Sequence, residues 1–98
     1  MADLTAEFFT NMSPYYLNAR QLPDGRWIVL EQLLFGQHRL QVGCDEYGWS
    51  EAYDFRNRLK AVWAFNKWNG EGEPVDWLAY RGNGQRLKGP DWREGEEF

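Results

Sequence analysis

A single cysteine and a single histidine stand among the 98 residues of this chain. Cys44 cannot close an intramolecular disulfide, and one histidine cannot supply a paired metal motif. No apolar run approaches the roughly 20 residues that a membrane-spanning helix needs. Positive charge is also in short supply, since 11 Lys and Arg face 15 Asp and Glu, a formal net charge of −4. Such a balance opposes contact of the whole molecule with polyanions and suits basic proteins better. No n-region, apolar h-region and cleavage site open the chain, so the expected location is cytoplasmic.

Aromatic residues are what the chain has in quantity: six Trp, five Tyr and six Phe within a 43% hydrophobic composition. That content excludes disorder, and the length fits one compact domain, 1–98, with an acidic and mobile tail from about residue 89. The segment DLTAEFFTNM predicts a short helix capped by Asp3 or Thr5, with Leu4, Phe8 and Met12 on one face. Pro23-Asp24-Gly25 joins two strand-like stretches, 15–22 and 26–35, into a hairpin. Gly36-Gln37 makes a second tight connection, to a strand over 38–44. In the middle stretch both faces are apolar, Trp27, Val29, Leu33 and Phe35 against Ile28, Leu30 and Leu34, which implies burial on both sides.

Residues 50–68 read as one long helix with Ser50 as N-cap and Ala52, Phe55, Leu59, Val62 and Asn66 as its core arc. The expected fold class is therefore α+β: a three-stranded antiparallel meander packed against one long helix, with a short N-terminal helix and a C-terminal strand or hairpin. That hairpin would turn at Gly82-Asn83-Gly84. The loop after the long helix, WNGEGEP, is rich in glycine but unsuited to phosphate, because it follows a helix and adds Glu71 and Glu73 to the negative end of the dipole. Gly70 at positive φ and Pro74 as a stop make it a hinge.

No catalytic constellation emerges. On a regular strand His38 and Cys44 would lie about 20 Å apart, too far to exchange a proton. Glu71 and Glu73 sit on a loop where nothing would bury them. No metal site or cofactor is expected. Two functional readings follow. One is a non-enzymatic protein-binding factor whose partner surface comprises Phe65, Trp68, Trp77, Tyr80 and Arg81, rimmed by Glu71 and Glu73, on the outer side of the helix and the loop after it. The other is a nucleic-acid-binding module of double-stranded-RNA-binding type, using Arg56, Lys60 and Lys67. Ser50, Glu51 and Asp54 at the start of the predicted helix disfavour it by repelling phosphate.

Residues 63–88 carry a resemblance. The run Trp68, Gly70, Gly72, Glu73, Pro74, Trp77, followed by Arg81, Gly84 and Arg86, resembles small accessory proteins of phages and prophages with a W-x-G-x-G-E-P-x-x-W run. The resemblance implies a phage-encoded inhibitor or anti-defence factor that covers a surface of a host bacterial protein in the host cytoplasm. Formation of a homodimer is left open by this reading.

Overall fold

The computed structural model describes residues 4–96. Its chain order is α1 (Ala6–Thr10), β1 (Tyr16–Gln21), β2 (Trp27–Gln32), β3 (His38–Val42), β4 (Glu51–Phe55), α2 (Arg58–Lys67), β5 (Ala79–Gly82) and β6 (Gln85–Lys88). All six strands form one antiparallel sheet in sequential order. This overturns the expected three-stranded meander with one long helix: the sheet has six strands, the two helices are short, and the fold is mostly β.

The error lies in residues 50–57. Their apolar positions fit a helical period, but as strand β4 they alternate, with Tyr53 and Phe55 on one face and Ala52 and Asp54 on the other. Pairing decides the outcome. Asp54 lies opposite Arg39 of β3, which reaches its two oxygens at 2.6 and 3.2 Å, and Tyr53 lies opposite Tyr80 of β5. The helix then starts at a true N-cap, Asn57, whose side chain accepts from Lys60 N at 3.0 Å.

The face that α2 buries also differs from the expected arc. The buried positions of α2 are Ala61, Ala64 and Phe65, with Trp68 just beyond, a run of i, i+3, i+4 and i+7. Leu59, expected in the core arc, is 82% exposed. The carbonyls of Phe65 and Trp68 at the end of α2 accept from the guanidinium of Arg20 on β1, a cation placed where the helix dipole favours one. Burial lowers the Arg20 pKa.

The α2 side of the sheet holds Ile28, Leu30, Leu40, Val42, Tyr53 and Phe55. On the reverse side, Phe9 of α1 packs on Ala19, Val29 and Cys44. β2 is therefore buried on both faces, as its two apolar rows require, but it ends at Gln32. Leu33 to Gln37 form a loop with a single 3-10 turn, and Phe35 at its tip adopts φ 58° and is 99% exposed. In α1 the N-cap is Thr5, accepting from Phe8 N at 3.1 Å; the alternative cap Asp3 lies outside the described residues.

Candidate protein-binding site

Strands β4 and β5 meet with Tyr53 and Tyr80 directly opposite, so alternation sets both rings on the α2 side of the sheet. Tyr53 is the hub. Its ring centroid lies 5.1 Å from Tyr80, 5.6 Å from Trp77 and 5.6 Å from Trp68, at interplanar angles of 54°, 81° and 73°. These are the tilted and edge-to-face arrangements that aromatic quadrupoles prefer.

Two glycines shape the cluster. A Cβ at Gly82 would come within 2.4 Å of the Tyr80 hydroxyl, so the bare backbone lets the phenol lie back along β5 and donate to Glu51 Oε2 at 2.9 Å. A Cβ at Gly89 would stand 2.6 Å from Cδ2 of Trp77, so the indole rests directly on that backbone. Each aromatic is thus held against main chain rather than left to rotate.

Tyr53, Trp77, Tyr80 and Leu87 line an open cleft of about 240 Å³, with Glu73 and Gln85 at its polar points. Glu73 forms none of the ion pairs among the described residues. Burial, then the charges of Glu51 and Glu73, push the Tyr53 hydroxyl up to about 12. Burial and the bond to Glu51 raise that of Tyr80. Burial is the larger cause for both rings and the neighbouring carboxylates add to it, so both phenols stay neutral.

Trp68 closes the other side of the cluster. Its Nε1 donates to the Glu71 carbonyl at 3.1 Å, and the guanidinium of Arg26 sits 5.9 Å from its ring while pairing with Asp24 at 2.7 Å and Glu51 at 3.5 Å. Arg26 also donates to the carbonyl of Gly70, which takes the expected positive φ, +92°, but two residues beyond the C-cap: α2 is ended by Trp68, whose backbone is extended.

The predicted partner residues divide accordingly. Trp68, Glu73, Trp77 and Tyr80 converge on one cluster. Phe65 is adjacent but faces the sheet, so neither it nor Trp68 lies on the outer side of the helix; both are buried in the core. Glu71 is exposed and contributes only its carbonyl. Arg81 is elsewhere, because alternation along β5 turns it to the opposite face, with its Nε 3.9 Å from Asp54 and without a hydrogen-bond partner. Arg86 stands directly across from it. Tyr53 and Leu87 were missed by sequence reasoning. A strand reading of 51–55 would have found Tyr53, since it places that ring against Tyr80.

The alternative basic patch is not free. Arg56 bonds Asp91 and Glu96, and Lys60 reaches the same Asp91 carboxylate at 2.9 Å. Lys67 stacks over Trp63, 5.5 Å from its centroid. His38 is buried with Nδ1 3.0 Å from the Gly36 carbonyl, while Gly43 at φ 73° turns Cys44 toward α1, where burial raises the thiol to about 12. Among the described residues no group of three His, Cys, Asp or Glu is placed to hold a metal ion, and no helix is long and apolar enough to cross a membrane. Comparison of the chain with protein-family models, with curated proteins and with solved structures finds no significant match, so its site rests on this geometry alone.

Proposed function

We propose that this chain is a non-enzymatic protein-binding factor that covers a surface of a host bacterial protein, docking a basic segment of it at the Tyr53–Trp77–Tyr80 cleft. The observation that carries the reading is a cleft in which the partly exposed rings of Trp77 and Tyr80 stand over the buried Tyr53, beside a carboxylate, Glu73, that has no cationic partner among the described residues. Anchors of this kind dominate interface energetics, and a net charge of −4 would steer a basic partner toward them. The W-x-G-x-G-E-P-x-x-W resemblance adds the phage-borne setting and the host cytoplasm as the place of action. The double-stranded-RNA-binding alternative is less favoured, because Arg56 and Lys60 already bond the chain's own carboxylates.

The test pairs capture with surface variants. Once a partner has been cross-linked and identified from a bacterial lysate, its affinity is measured for Glu73→Lys, Leu87→Lys and Leu59→Lys, all at exposed positions. The first two should weaken binding by about tenfold or more, because each sets a positive charge against a basic partner, and the third should not. Equal affinity for all three would overturn the docking surface.

A further inference from the structure

We propose that the open edge of β6 takes an extended segment of a partner protein as an added strand, one that carries carboxylates at alternate positions. The inference concerns the edge and the reverse face of the sheet, and does not rest on the docking reading above. β6 ends the strand order, and each of its residues is exposed. Its turn, Asn83-Gly84, closes on the pair Gly82 and Gln85, and Gly89 N donates to the Leu78 carbonyl at 2.8 Å. Antiparallel pairs alternate between hydrogen-bonded and non-hydrogen-bonded. Between those two fixed points Tyr80 and Leu87 fall in the bonded class, while Arg86 and Lys88 turn their N–H and C=O groups outward to the edge. A strand laid there meets donors and acceptors already in line.

The same two residues carry the charge. Alternation puts Arg86 and Lys88 on the reverse face of the sheet, with Arg81 and Ala79 of β5 opposite them. Non-hydrogen-bonded pairs are the closer kind, with Cα atoms about 4.5 Å apart, and like charges so placed destabilise a sheet. The chain does not answer these charges itself. Asp54 gives both oxygens to Arg39, Arg81 approaches it only to 3.9 Å with its Nε making no hydrogen bond, and Arg86 belongs to none of the ion pairs among the described residues. Lys88 lies 5.4 Å from the Trp92 ring, a contact that supplies no carboxylate. An incoming strand sets side chains opposite Arg86 and Lys88 on this face, two residues apart, and carboxylates there supply the missing anions. The residue between them falls beside the half-exposed Leu87 and suits an apolar side chain. Cations on an edge guard it against neutral strands and against its own copies, since a second β6 would bring like charges together. For an acidic strand that guard becomes attraction. A nucleic acid would answer the charges but not the alternating backbone groups.

The experiment is a nuclear magnetic resonance titration of the intact protein. The probes are a short capped peptide with glutamate at alternate positions and valine or threonine between them, a peptide of the same composition with its glutamates in one block, the alternating peptide N-methylated at its glutamates, and a short oligothymidylate. The alternating peptide should bind at least about tenfold more tightly than the block or N-methylated peptide, and slow amide exchange at Arg86 and Lys88. Arg86→Glu should abolish its binding without lowering the melting temperature. Arg86→Gln, the milder change, should read the same loss in part, and does so even if charge reversal disturbs folding. Equal binding of the block or N-methylated peptide would reduce the contact to charge alone and overturn strand addition. Tighter binding of oligothymidylate at the same signals would overturn it in favour of a nucleic acid. Unchanged affinity in both Arg86 variants, or no shift at β6 with any peptide, would overturn it as well.

Discussion

Phe65→Ala should cost far more stability than Leu59→Ala, although the two residues lie in the same helix and differ little in hydrophobicity. Phe65 is 4% exposed in the main core, with the Arg20 guanidinium 5.5 Å from its ring centroid. Truncating a buried phenylalanine costs about 3–5 kcal/mol, and loss of the stacked cation pushes the value toward the upper end. The backbone bonds from Arg20 to the Phe65 and Trp68 carbonyls survive the change, so α2 itself should persist. For a domain of this size about 1 kcal/mol moves Tm by roughly 4–8 °C, giving a fall of about 12 °C or more. Leu59 is 82% exposed, and leucine and alanine have similar helix propensities, so Leu59→Ala should stay within about 0.5 kcal/mol. Thermal and urea melts on matched samples read both, with an unchanged urea slope confirming that the compared states are the same. A large loss for Leu59→Ala beside a small one for Phe65→Ala would restore the helix phase that starts at Ser50 and refute strand β4.

Arg86→Glu should stabilise by about 0.2–1 kcal/mol, because it replaces a like-charge cross-strand pair with Arg81 by an opposite one; an unchanged or lower melting temperature would contradict that register. Gly70→Val should destabilise, since φ is +92° and a Cβ there would stand 2.8 Å from the Arg26 guanidinium; a neutral outcome in a chemical melt would refute the hinge. Acid should release the C-terminal segment. Hydrogen bonds and charge from Lys60 and Arg56 depress the Asp91 pKa, and Arg56 depresses that of Glu96, so their contribution is present above the ordinary carboxylate range near about pH 4 and is lost as pH falls through the depressed values. Limited proteolysis after Lys88 should therefore accelerate below that range, and a pH-independent rate would contradict the pairing.

Signals that depend on local chemistry were legible in the sequence. Pro23-Asp24-Gly25 turns β1 into β2, Asn83 and Gly84 at φ 52° and 73° turn β5 into β6, and Gly70 takes positive φ in the loop after α2, although Trp68 rather than Gly70 caps the helix. Pairing across the sheet was not legible. Residues 51–55 satisfy a helical period as well as alternation, and only the distant partners Arg39 and Tyr80 choose between them. The site followed the same division. Trp68, Glu73, Trp77 and Tyr80 were visible as a dense aromatic and acidic run, whereas Tyr53 was hidden in a misread helix and Arg81 was lost to alternation along β5. Phe35 shows the reverse failure: its apolar row continued past Gln32, but the chain left the sheet there and exposed the ring.

The central claim is that the partner lands on the cleft formed by Tyr53, Trp77, Tyr80 and Leu87. Hydrogen exchange measured on the free chain and on its complex with the captured partner tests it most directly, because amides report where contact falls without any substitution. The account predicts added protection in residues 73–80 and 85–88, with the Phe35 tip and the loop around Tyr47 unchanged. Protection centred on residues 33–37 or 45–49, with none at 73–80, would contradict it.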